Sequence, residues 1–174
     1  MTHLIMSITV IALAQHGSTP GGMPPGMSHE EHMKQMNERG KIAMGFDQAK
    51  VTHHFLLTRT GGRIEVNANQ NSDEATRKLV RDHLRTIAQQ FTSGIFTSPT
   101  TTHAEVPPGV PVMTERKAAI GYAYQETPQG GRVVITTADR TARKAVHDFL
   151  KYQIREHATG DPVTVQRKRP ARPS

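Results

Sequence analysis

The chain has 174 residues, enough for one domain of ordinary size and too few for two large ones. Its formal net charge is +7, but Arg167, Lys168, Arg169 and Arg172 supply four of those charges, and the remaining 7 − 4 = +3 is too mild for a nucleic-acid footprint. There is no cysteine, which excludes disulfides, thiolate metal ligands and a lipid-anchored cysteine.

Leu4 to Ala14 is an apolar run of 11 residues, too short to span a bilayer as a helix. It ends in Ala12-Leu13-Ala14, an A-x-A pattern that predicts an export signal over residues 1–14, cut before Gln15. The preceding Met1-Thr2-His3 lacks the usual Lys or Arg, and a buried N-terminal strand is the alternative. With the signal, the mature protein is expected in the periplasm or outside the cell.

Residues 15–40 read as a flexible Met/His-rich leader with a short helix. The stretch from Gln15 to Met27 is rich in Gly and Pro. Ser28 and Glu31 form a capping box, which predicts a helix from His29 to Arg39 ended by Gly40. His29, His32, Met33 and Met36 then share one side. From His16 to Met36 there are three His and four Met, and imidazole with thioether suits copper better than magnesium or calcium. In composition the segment resembles the Met/His-rich arms of exported copper-handling proteins. The competing reading is a leader plus an amphipathic helix whose Met residues simply pack.

Residues 41–160 are read as a duplicated ββα domain, with copies at 41–94 and 117–160 and a linker at 95–116. In the first copy Val51, His53, Phe55 and Leu57 alternate on one face, Gly61-Gly62 marks the turn, and Ile64, Val66 and Ala68 alternate after it. A helix follows from Glu74 to about Phe91, with Leu79, Val80, His83, Leu84, Ile87 and Phe91 in one stripe. In the second copy Ile120, Tyr122 and Tyr124 alternate, Gly130-Gly131 marks the turn, Val133 and Ile135 follow, and a helix runs from about Arg140 to His157. The expected fold is α+β: two ββα repeats forming a four-stranded antiparallel sheet, with helices packed on one face. Pro107, Pro108 and Pro111 predict a helix-free linker carrying His103 and Met113. Residues 161–174 form a basic tail, expected to be disordered.

Aligning the copies pairs His53 with Tyr122, His83 with Phe149 and Phe91 with His157. Three inner positions thus hold an imidazole in one copy and an aromatic ring in the other. Inward imidazoles must be neutral and either hydrogen-bonded or metal-bound. The candidates are a copper or zinc site built from His53, His83 and His157, with His103 or Met113 as a further ligand, or a haem held by an axial His. The plain alternative is a set of satisfied core histidines. His147 and Asp148 lie beside the stripe, but no nucleophile elbow or cysteine supports hydrolytic chemistry.

The runs MGFDQAKVTHHF (Met44 to Phe55), GGRIEV, PPGVPVM, GGRVVITTADR and HDFLKYQIREHATGD look like a family of small uncharacterised bacterial proteins, over about Glu38 to Asp161. Members are sometimes labelled aspartate carbamoyltransferase. That activity does not transfer, because the S-T-R-T-R phosphate loop of that enzyme's catalytic chain and the four zinc-binding cysteines of its regulatory chain are absent. The resemblance implies a shared domain. The expected function is an exported, non-enzymatic binding protein capturing a transition metal, copper foremost. The alternative is a structural or interaction module that meets a partner, or a second copy, through its outer sheet face at Thr52, His54 and Leu56 or its edges.

Overall fold

The computed structural model describes residues 26–70 and 73–165. The expected signal over 1–14, most of the leader, and the tail from 166 lie outside the described residues. Helix α1 (His29–Met44) starts as the capping box requires, with the Ser28 hydroxyl accepting from the Glu31 N–H. It runs past Gly40 to a left-handed C-cap at Gly45. Gly40 does not stop it, because its missing side chain leaves room for Gln48. A short turn leads into strands β1 (Val51–Thr58) and β2 (Gly61–Ala68), then helix α2 (Glu74–Thr92). The linker carries two short helices, α3 (Thr97–His103) and α4 (Val110–Glu115), before β3 (Gly121–Thr127), β4 (Gly130–Thr136) and α5 (Arg140–Glu156). The expectation of a helix-free linker therefore fails. Pro111 stands in the first turn of α4, where the missing N–H would be unpaired in any case. Among the described residues, no helix is long and apolar enough to cross a membrane.

The four strands form one antiparallel sheet in the order β1-β2-β4-β3, and the helices cover one face. In the central β2–β4 pair Ile64 stands opposite Val133, its equivalent in the other copy. Arg63–Val134 and Glu65–Arg132 flank that pair as mirror images, so a pseudo-two-fold axis passes through Ile64 and Val133. The helices follow the same symmetry. Asp73 caps α2 by accepting from Thr76 N–H, and its equivalent Asp139 caps α5 by accepting from Ala142 N–H.

Each copy lends its helix to the other. Helix α2 lies mainly over β3 and β4, while α5 lies over β1 and β2. Two glycines permit the close approach: a Cβ at Gly62 would stand 2.1 Å from Leu150 Cδ1, and one at Gly131 would stand 3.2 Å from Leu84 Cδ1. Leu84 and Leu150 are equivalent and nearly solvent-free. The shared core is Val66, Val80, Val133, Ile135, Val146 and these leucines.

Candidate functional site

The pseudo-symmetry breaks at the rings. On one side of the axis Phe91 packs edge-on against Tyr122 (5.7 Å between centroids) and Phe149 (6.0 Å), with Phe96 tilted against Phe91 at 4.3 Å. On the other side the equivalent positions are His157, His53 and His83. His53 and His157 stack at 5.1 Å with planes 21° apart. Phe46 stacks on His53 and meets the edge of His83 at 5.6 Å. The linker joins the two clusters, because Phe96 just before α3 lies among the phenyl rings and His103 at its end lies among the imidazoles, 5.2 Å from His157.

His53, His83, His103 and His157 line one cavity of about 60 Å³, together with Met44, Ser98, Thr102, Gln153 and apolar side chains. That volume holds a few waters or a coordinated ion. It leaves no room for a macrocycle unless the helices part. Among the described residues, no carboxylate lines it. Burial pushes His53 down to about 4, helped by its neighbours His83 and His54. Burial alone brings His83 to about 4. For His103 burial again dominates, giving about 4 despite the opposing hydrogen bond that it makes to Gln153 Oε1. His157 lies well below its ordinary value through burial and the nearby His53 and His103. At neutral pH all four rings are uncharged, the form that ligates metals.

The hydrogen-bond inventory divides them. His103 Nε2 pairs with Gln153 Oε1 at 3.0 Å, while His103 Nδ1 and Gln153 Nε2 are buried without partners. Neither His53, His83 nor His157 makes a ring hydrogen bond to another described residue. The buried, unpaired His103 Nδ1 and Gln153 Nε2 each cost free energy, on the order of 1–3 kcal/mol, whereas His53, His83 and His157 are part-exposed and their ring nitrogens are not among the buried unpaired atoms.

The other sequence candidates fall elsewhere. Met113 is fully buried in the hydrophobic core and does not line the cavity. His29 is exposed, whereas His32 Nε2 sits 3.1 Å from the buried Glu156 carboxylate and Met36 is fully buried. His29 and His32 thus do not gather with the thioethers, because α1 is docked on the body of the domain rather than standing free. Met33 and Met36 instead line a second cavity of about 300 Å³ that His53 and His157 also line. Sequence reading missed that meeting, and it missed Met44 and Gln153; helical spacing shows which residues share a side but not what the side meets. His147 holds a hairpin turn, with its Nε2 between the Thr58 and Gly61 carbonyls. On the outer face His54 Nδ1 pairs with Asp161, which also accepts from the Phe55 N–H, so the start of the C-terminal segment is tied to β1.

Among the described residues, no group of three or more His, Asp or Glu side chains is arranged to hold a metal ion. The stacking explains why: a metal lies in the plane of each ligating ring, and two nearly parallel rings cannot both aim a lone pair at one point. Coordination by both needs one ring to rotate. No family model, no curated protein and no solved structure matches this chain.

Proposed function

We propose that this is an exported, non-enzymatic binding protein that captures a transition-metal ion, copper foremost, at the imidazole-lined cavity. One observation carries the reading: three adjacent imidazoles, neutral and without hydrogen bonds, stand where the other half of the molecule uses Phe and Tyr. Metal binding would use nitrogens that no described residue engages, and rotation of His53 or His157 out of the stack would turn its lone pair toward the ion. Zinc is the other metal that neutral imidazoles accept readily. Export rests on the apolar run and A-x-A site before Gln15.

The second copy supplies the design of the test. In H53Y/H83F/H157F each imidazole is replaced by the ring at its symmetry-equivalent position, so the variant has a packing precedent within the same molecule. Wild type and variant are dialysed against Cu(I), Cu(II) and Zn(II), followed by elemental analysis. The wild type should retain roughly one ion per chain more than the variant. Equal retention removes the reading.

The stacking of His53 between Phe46 and His157 favours a second reading, in which the rings are only packed and the domain is a structural or interaction module. In that case the variant is about as stable as wild type, because Tyr and Phe already pack at the equivalent positions of the other copy, and metal leaves the melting temperature of both proteins unchanged.

A further inference from the structure

We propose that the captured ion is a soft monovalent cation of the Cu(I) class, held by the thioethers of Met33 and Met36 on α1 and the imidazoles of His53 and His157, which line the same cavity. This rests on the metal reading above and assigns it a ligand set that neither the leader nor the interior provides alone. The four side chains line a single cavity of about 300 Å³. His53 and His157 also line the inner cavity, so both spaces reach the same two rings. A neutral imidazole has one lone pair and the two rings are stacked, so one of them turns to meet the ion beside the other.

Charge and softness select the ion. Among the described residues, no Asp or Glu side chain lines either cavity to offset a double positive charge. The cost of taking an ion out of water rises with the square of its charge, and a neutral donor set therefore favours a monovalent cation. Thioether sulfur is a soft, polarizable donor that prefers Cu(I) to Zn(II), Mg(II) or Ca(II). Met36 is held against this cavity while fully buried, and Met33 is half-buried beside it. The helix bearing them is fixed by the His32–Glu156 pair at 3.1 Å and by Arg39 Nε donating to the Thr102 carbonyl at 3.0 Å. Glu156 is the immediate neighbour of His157, so one contact sets the thioethers and the imidazole at once.

The test uses the full chain. Cu(I) affinity is measured anaerobically by competition with bathocuproine disulfonate, and Zn(II) affinity by competition with a chromophoric chelator. Wild type is compared with M33L and M33L/M36L, in which leucine conserves volume. The expected result is a loss of Cu(I) affinity of about tenfold or more in the double variant, with Zn(II) affinity held within about twofold. X-ray absorption of the Cu(I)-loaded wild type should show sulfur scatterers that the double variant lacks. M33L alone, altering a half-buried residue, should show part of the loss and guards against misfolding of the double variant. Unchanged Cu(I) affinity, or a copper shell of nitrogen only, overturns the assignment and leaves the imidazole reading standing. If the wild type binds neither ion, both fall.

Discussion

Arg81 and His147 occupy equivalent positions in the two copies and clamp opposite hairpin turns. Arg81 on α2 donates from Nε to Gly130 O at 3.1 Å and from a terminal nitrogen to Thr127 O at 3.0 Å. His147 on α5 donates one N–H to Gly61 O at 2.9 Å and Thr58 O at 3.0 Å. Thr58 and Gly61 are the symmetry equivalents of Thr127 and Gly130. Different side chains meet one need: the carbonyls of a tight turn must be satisfied by the helix that crosses from the other copy.

H147A therefore leaves two turn carbonyls without their donor and should cost about 1–2 kcal/mol, while R81A, which removes a charged donor, should cost about 2–3 kcal/mol. Urea denaturation at neutral pH checks both. If either variant is as stable as wild type, the clamp contributes nothing.

Acid should unfold the domain unusually early. His53, His83 and His103 are held near 4 and His157 well below its ordinary value, against about 6.5 when unfolded. Between those values the unfolded chain takes up protons that the folded chain refuses. Stability is full above about pH 6.5 and falls as pH drops towards 4, each ring contributing up to about 1.4 kcal/mol per pH unit. Thermal melts from pH 7.5 to 4.5 should show this steep decline in wild type and a much shallower one in H53Y/H83F/H157F. Parallel declines would place the acid sensitivity elsewhere.

The buried His32–Glu156 contact should hold α1 in place. H32A leaves the Glu156 carboxylate buried without its partner, a loss of about 3 kcal/mol for a pair of this kind. Hydrogen exchange should quicken across residues 29–44, with β2 and β4 still protected. Uniform loss of protection would show α1 to be integral to the core instead.

Gly62 should tolerate no side chain. In G62A the new methyl would meet Leu150 Cδ1 at 2.1 Å and the Leu56 carbonyl oxygen at 2.9 Å. Displacing α5 from β2 should cost about 2–3 kcal/mol, read as a lower denaturation midpoint. A midpoint matching wild type would show slack between helix and sheet that the packing does not suggest.

Much of this architecture was legible in the chain. Period-2 alternation around Gly61-Gly62 and Gly130-Gly131 identified both hairpins, because each has one dry face. The stripes bearing Val80, Leu84, Val146 and Leu150 identified both long helices. What stayed hidden was which surface each stripe meets, so the exchange of α2 and α5 between hairpins did not show. The imidazole neighbourhood of His53, His83 and His157 followed from the repeat alignment; of the two further ligands offered, the structure sets His103 beside them and Met113 elsewhere in the core. Helix α4 was missed because Pro111 was read as a veto when its place in the first turn makes it compatible. The meeting of Met33 and Met36 with His53 and His157 depends on docking through His32 and Glu156, residues more than a hundred positions apart.

Exchange of helices also has a bearing on synthesis. As the first copy leaves the ribosome, α2 carries an oily stripe whose resting place, β3 and β4, has yet to be translated. Nascent chains stalled before Gly121 should thus remain loosely collapsed and prone to stick, with consolidation delayed until the second hairpin arrives.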